Sequence, residues 1–353
     1  MKRVANIGNM NSIKFFYFSG TGNAKQIAIW LSELAAEKGV DCPLFDIAKT
    51  DVRSIDYVSS EDLVIIIAPI HGFNYPKIAL NFIRRFPKGK NRVVLMCTDG
   101  GIKIGRIITP GLSGVAFMLS SAILWKKGYK IAGHICFDMP TNWISLHPAM
   151  REKSVKFVYE KIHTKVNIHF EKIYAGKNDF SALKRIVADI IVSPIAFGYL
   201  FWGRFFMSKT LYASHKCNNC NLCVKECPTK AIKIVAQRPF WTLKCESCLK
   251  CMNICPTLAI EAAHGLVALV FYAWIAGSAI LIGLLPDLFH HWLIEFLICD
   301  VFLFFGSLFL LYRFQHLLLK NRIIAKIISF TSLTRYKFWG RYYCEKITKT
   351  AQQ

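Results

Sequence analysis

Acidic residues are scarce in this chain: 22 Asp and Glu stand against 45 Lys and Arg, a formal net charge of +23. The surplus is unevenly placed. No Lys or Arg occurs from residue 265 to 312, and nine then follow from Arg313 to Lys349 against the single Glu345. Such a gap argues against nucleic acid as the partner, and no helix-turn-helix or RNA-binding signature accompanies the charge. Also missing is a long apolar region after Met1-Lys2-Arg3, so no secretory signal is expected. A glycine-rich nicotinamide fingerprint is absent too. Of 13 cysteines, five (Cys42, Cys97, Cys136, Cys299 and Cys344) are scattered. That excludes a disulfide framework and reads as reduced, intracellular thiols.

The other eight cysteines are dense. Cys217, Cys220, Cys223 and Cys227-Pro228 are repeated 28 positions later as Cys245, Cys248, Cys251 and Cys255-Pro256. The repeat runs past the thiols, because Pro228-Thr229-Lys230-Ala231-Ile232 matches Pro256-Thr257-Leu258-Ala259-Ile260. Each half reads C-x2-C-x2-C-x3-C-P, the bacterial ferredoxin run in which three thiolates hold one 4Fe-4S cube and the fourth reaches across to the other. One cube is then expected on Cys217, Cys220, Cys223 and Cys255, and the second on Cys245, Cys248, Cys251 and Cys227. Zinc is the competing reading of paired C-x2-C, but two interleaved runs with trailing prolines fit cubes better. Asn221 and Leu249 stand where many ferredoxins carry glycine, and Leu resists the left-handed backbone that Asn tolerates.

Residues 12 to 18 read as a buried strand, and the turn Ser19-Gly20-Thr21-Gly22-Asn23 leads from it into a helical pattern ending at Lys38. Free amides at a helix N-terminus, its dipole, and the side chains of Ser19, Thr21 and Asn23 make an anion site. Further strands are expected near Cys42 to Ile47, Leu63 to Ala68, Arg92 to Cys97 and Lys130 to Phe137, with helices at about Lys77 to Phe86 and Val115 to Lys127. This alternation implies an α/β doubly wound parallel sheet whose ligand sits beyond the strand C-termini. Over roughly residues 12 to 150 the chain resembles the flavodoxins. The resemblance implies FMN, with Ser19, Gly20, Thr21, Gly22 and Asn23 at its phosphate and Ala24 in place of the usual closing hydroxyl residue. It places the ring between a loop carrying His71, Gly72, Phe73 and Tyr75 and a second carrying Thr98, Gly100 and Gly101, with residues 139–143 at the rim. Phe73 and Tyr75 are the stacking candidates.

Val155, Val158, Ile162, Val166 and Phe170 recur at helical spacing and suggest an amphipathic helix within residues 149 to 175. The apolar segment Ile186 to Gly203 contains Asp189 and Pro194 and ends in Trp202, Arg204, Phe205 and Phe206. It is expected to lie at the membrane interface or pack on the core. Gly265 to Pro286 and Trp292 to Tyr312 are each long enough to span a bilayer, and a hairpin with both ends on the basic side keeps the redox domains in the cytoplasm. The basic, aromatic tail is expected to rest on anionic lipid. If the hairpin folds about residue 289, Asp300 lies at the depth of Ser278, whose hydroxyl can hydrogen-bond the carboxyl.

A flavodoxin-like domain followed by a two-cluster ferredoxin-like α+β domain resembles the flavodoxin-ferredoxin fusion family of anaerobic bacteria, over residues 12 to 262. The expected divisions are 12–176 for the flavin domain, 177–208 for the connecting helix, 209–263 for the ferredoxin domain, 265–312 for the transmembrane hairpin and 313–353 for the tail. What the resemblance implies is electron transfer with redox partner proteins at the cytoplasmic (inner) membrane, carried by FMN and two 4Fe-4S clusters. The alternative is a flavin-dependent reductase of a small or lipid-soluble acceptor such as a quinone, nitro compound or corrinoid.

Overall fold

Long β-branched and aromatic runs become the middle of a sheet because both of its faces are covered and no polar alternation is needed. In the computed structural model, which describes residues 12–55, 62–101, 103–284 and 293–340, five strands build that sheet. They are β1 (Ile13–Tyr17), β2 (Leu44–Asp46), β3 (Leu63–Pro69), β4 (Arg92–Gly101) and β5 (Lys130–Pro140). All neighbours are parallel, in the order β2-β1-β3-β4-β5. Leu63 to Ala68 are buried without exception. Helices α1 (Asn23–Glu37), α2 (Lys77–Arg85), α3 (Ala116–Lys126) and α4 (Glu152–Tyr174) complete this unit. The five apolar positions expected on one helical face, Val155, Val158, Ile162, Val166 and Phe170, are buried on α4. Strand order reverses between β1 and β3, so the loops after these strands flank the switch point where such sheets bind ligands.

One expectation about this unit needs correction. Thr98, Asp99, Gly100 and Gly101 are not a loop but the end of β4, paired with β5 from Thr98↔Phe137 to Gly101↔Pro140. The glycines suggest a turn in sequence, yet the strand needs one here, since a Cβ on Gly101 would lie 2.7 Å from the Asp138 carbonyl oxygen.

The segment after α4 is broken. Ser181–Ile191 and Ser193–Met207 meet at a 75° bend. Asp189, an interruption of the apolar run in sequence, is buried and accepts hydrogen bonds from Ser113 N (2.8 Å), Ser113 Oγ (2.9 Å) and Gly114 N (2.7 Å). Val187, Ile190, Ile191, Ile195 and Phe197 remain exposed. The first compact unit takes this segment as far as Phe201, and Trp202 onward belongs with a second unit that also includes Trp143–Ala149.

In the second unit β6 (Leu211–Ala213) pairs antiparallel with β9 (Ile260–Ala262), and β7 (Ile232–Val235) with β8 (Arg238–Trp241). Two helices follow, α5 (His264–Leu284) and α6 (Leu293–Leu318). With mean hydropathies of 2.2 and 1.9 over His264–Leu284 and Leu297–Leu318, they are long and apolar enough to cross a membrane. The turn expected at Asp287 to His291, Trp292, and the tail from Arg341 lie outside the described residues. The tail's described part holds a helix, Arg322–Ser329, capped by Asn321, whose side-chain oxygen accepts from the amides of Ile323 and Ile324.

Candidate functional site

The turn after β1 leaves a helix N-terminus open. Gly22 caps α1 with φ of 105°, a conformation that favours glycine, and α1 has neither a side-chain cap hydrogen bond nor an acidic residue in its first turn. The amides of that first turn have no partners further back in the helix, so the positive end of the dipole is available to an anion. Ser19 Oγ accepts from Gly22 N at 3.1 Å and tightens the turn, with Thr21 half-buried beside it. Asn23 departs from expectation. Its side chain is buried, donating to the Pro140 carbonyl at 2.9 Å and accepting from Tyr159 Oη at 3.3 Å, so it ties the turn to β5 and α4.

The loop after β3 is pinned at its neck by His71 N to Asn74 O (2.8 Å) and Ile70 N to Thr98 O (3.0 Å). Gly72 and Phe73 both have positive φ, 54° and 60°. Tyr75 is corrected here: it is a core residue rather than a free stacking face. Only 1% exposed, it donates from Oη to the Met96 carbonyl at 2.9 Å and meets Phe117 edge to face at 6.0 Å. Phe73 is half-buried and remains at the loop tip, where its carbonyl accepts from Val115 N at 3.1 Å. Tyr199, which sequence reasoning missed, lies against Gly72 so closely that a Cβ there would come 2.1 Å from the ring. Gly100 is exposed and faces Thr141, whose Oγ1 would stand 3.1 Å from an added Cβ.

A buried charge cluster supports the end of β4, and it too was not legible in sequence. Arg185 donates from Nη1 to Asp99 Oδ2 (3.1 Å), Asp138 Oδ1 (2.9 Å) and the Gly111 carbonyl (2.8 Å), and from Nη2 to Asp138 Oδ2 (3.0 Å). Lys165 Nζ lies 3.3 Å from Asp138 Oδ2. Burial, and then the neighbouring Asp138, raise the Asp99 carboxyl to about 7. Asp138 stays below its usual range, because Arg185 and Lys165 outweigh the cost of its own burial. Arg185 is 86 residues from Asp99 in sequence, and no local pattern announces the contact.

In the second unit the 28-residue repeat reappears as backbone geometry. Asn219 and Ser247, Asn221 and Leu249, and Lys230 and Leu258 are all left-handed, each pair 28 apart, with φ between 50° and 59°. Leu249 therefore takes the conformation that its side chain resists, at φ 57°, as Asn221 does at 59°. The thiols fall into two groups. Cys223 is raised to about 11 by burial and by Cys217, Cys255 and Cys220 around it. Cys251 is raised by burial and by Cys245, Cys248 and Cys227. Matching amides reach matching sulfurs: Ala231 N to Cys227 Sγ at 3.2 Å and Ala259 N to Cys255 Sγ at 3.3 Å. Four crowded thiols with amides aimed at sulfur fit an iron-sulfur cube, because its positive irons stabilise the thiolates that burial alone disfavours.

Two family models match the chain, a flavodoxin domain at residues 15–99 and a 4Fe-4S binding domain at residues 214–233. Among solved structures, the rubredoxin oxygen:oxidoreductase of Desulfovibrio gigas is 14% identical with a TM-score of 0.29, over 46% of this chain and 36% of that one. The chain thus spans about a third of that protein's length. The flavodoxin of Megasphaera elsdenii is 15% identical with a TM-score of 0.28, over 43% of this chain and 98% of its own. A Fusobacterium nucleatum flavodoxin variant bound to flavin mononucleotide is 16% identical with a TM-score of 0.30, over 46% and 95%. No protein with a curated description matches. The parallel sheet with its open α1 terminus, the repeated cysteine loops and the two family matches together show a chain that joins a flavodoxin domain to a 4Fe-4S binding domain.

Proposed function

We propose that this protein is a membrane-anchored electron carrier that passes electrons between FMN and two 4Fe-4S clusters. The observation that carries the reading is the exchange of fourth ligands: Cys255 lies with Cys217, Cys220 and Cys223, while Cys227 lies with Cys245, Cys248 and Cys251. That grouping would hold two cubes side by side, the arrangement suited to transfer. Ser19, Thr21 and the amides at the start of α1 would hold the flavin phosphate, Phe73 and Gly72 would border its ring, and Gly100 would allow close approach from β4. Flavin exchanges one or two electrons and each cube one, so together they couple two-electron and one-electron partners. The protein's own contribution is a rigid seat for each cofactor, made by the Arg185 cluster under β4 and by the paired left-handed turns around the thiols.

Helices α5 and α6 would anchor the redox domains to the inner membrane on its cytoplasmic face, since basic residues follow the hairpin and none occurs within it. Redox partner proteins would supply and collect the electrons. The test is anaerobic reduction of the purified full-length chain through a reduced ferredoxin or flavodoxin, followed by electron paramagnetic resonance. Reduction of flavin and of both cubes, with reoxidation only by a second protein, supports the carrier. Saturable turnover of a quinone, nitro compound or corrinoid without a protein acceptor would instead make it an enzyme.

A further inference from the structure

Within the second unit, a cavity of about 330 Å³ opens where the uncharged run of α6 ends. Its walls are Phe240, Leu243, Phe309 and Tyr312, and its charged residues are Lys209 and Arg313. Lys209 is 4% exposed. Its ammonium donates one hydrogen bond, to the Trp241 carbonyl, and lies 4.7 Å from the ring centres of both Phe240 and Tyr312. The Arg313 guanidinium sits 4.8 Å over the same Phe240 ring. Neither cation is paired with a carboxylate among the described residues.

Two cations sharing one aromatic ring repel each other, and a buried ammonium is costly unless an anion or several acceptors compensate it. An anion in the cavity that both residues line relieves both effects. The depth of the cavity narrows the choice of anion. Arg313 is the first Lys or Arg after residue 265, and Phe309 and Tyr312 are the last aromatic residues of the apolar run. That is the level of lipid phosphates if α5 and α6 span the bilayer, and basic pockets beside transmembrane helices on the cytoplasmic side hold anionic headgroups.

We propose that Lys209 and Arg313 bind the phosphate of one anionic phospholipid, with Phe240, Leu243 and Phe309 packing against its glycerol and upper acyl chain. The proposal rests on the membrane reading of the hairpin. The lipid is held at a defined site, distinct from the diffuse attraction of the basic tail, and it brings a negative charge close to the thiol group containing Cys245.

The test uses the full-length holoprotein in nanodiscs of zwitterionic phosphatidylcholine doped with phosphatidylglycerol, released into native mass spectrometry. One phosphatidylglycerol should remain per chain. Lys209→Met and Arg313→Gln should each lower its retention at least tenfold, and Leu243→Trp should do the same by filling the cavity while keeping both cations. Replacing an exposed tail lysine, Lys320→Gln, should leave it unchanged. Iron content reports whether Lys209→Met still folds, and the exposed sites Arg313 and Leu243 provide variants that do not disturb the core. Equal retention in all variants, or displacement of the lipid by equimolar inorganic phosphate, would overturn the assignment. Failure of the unmodified chain to enter phosphatidylcholine nanodiscs at all would instead overturn the membrane reading beneath it.

Discussion

Ser278 Oγ donates to Asp300 Oδ1 at 2.5 Å, joining α5 to α6 at the depth expected for a hairpin folded about residue 289. Trp274 Nε1 adds a second donor to Oδ2 at 3.0 Å. Close approach is possible because Gly277 faces Leu303, whose Cδ2 would stand 2.9 Å from an added Cβ. If α5 and α6 span the bilayer, a carboxyl there costs roughly 3 kcal/mol on insertion scales, which these two donors offset. Asp300→Asn should therefore insert and transfer electrons normally. Ser278→Ala should weaken the hairpin by about 0.6 kcal/mol, the size of an average interhelical hydrogen bond in a bilayer. Normal insertion of Asp300→Asn with loss of electron transfer would assign Asp300 a proton role instead.

The anion end of α1 makes its own prediction. Thr21→Ala should weaken FMN binding about tenfold, corresponding to about 1.5 kcal/mol for one hydrogen bond to a charged group. Gly22→Val should abolish binding, because φ of 105° is strained for a β-branched residue. Tyr75→Phe, by contrast, should retain flavin and lose about 1 kcal/mol of stability from the bond to Met96. Fluorescence titration of apoprotein with FMN separates these outcomes, and flavin loss in Tyr75→Phe would return that ring to the flavin site.

His134 should give the flavin domain an acid-sensitive stability. Burial lowers its imidazole from 6.5 to about 4, and the ring stacks on Phe117 at 4.9 Å with Nε2 2.7 Å from Ser121 Oγ. The unfolded chain takes up the proton first as pH falls, so this contribution is complete above about 6.5 and is lost as pH drops towards 4. Urea unfolding between pH 4 and 7 should show this loss in the parent chain. His134→Phe should flatten that part of the profile, and an unchanged profile would rule the residue out.

Arg185→Met should be among the most damaging changes in the first unit. It would leave Asp99 and Asp138 buried side by side, and removing one partner of a buried pair costs about 3 to 5 kcal/mol. Flavin binding should fall with stability, because β4 ends beside the ring site. A melting temperature matching the parent's would show that Lys165 alone suffices for both carboxylates.

Sequence made the sheet and the repeated cysteine loops legible because each is written locally. Leu63 to Ala68 is an unbroken apolar run, and eight thiols with prolines admit few arrangements. The ring side of the flavin site was legible only in part. Phe73 and Tyr75 are alike by composition, and their fates diverge because one has Met96 O within reach and the other sits at a left-handed turn. Thr98 to Gly101 looked like a loop because pairing with β5 cannot be seen from β4 alone. Asp189, Arg185 and Tyr199 arrive from a segment whose apolar run hides them, and only tertiary contact shows that each supports a loop of the first unit.

The exchanged fourth thiols are the centre of the account, and metal analysis of the anaerobically prepared full-length chain beside Cys255→Ala tests them most directly. The parent should contain about eight iron and eight acid-labile sulfur per chain. Cys255→Ala should damage the cube of Cys217, Cys220 and Cys223 while the paramagnetic resonance signal of the Cys245 cube persists. Zinc in place of iron in the parent, or loss of the Cys245 signal with the other intact, would contradict it.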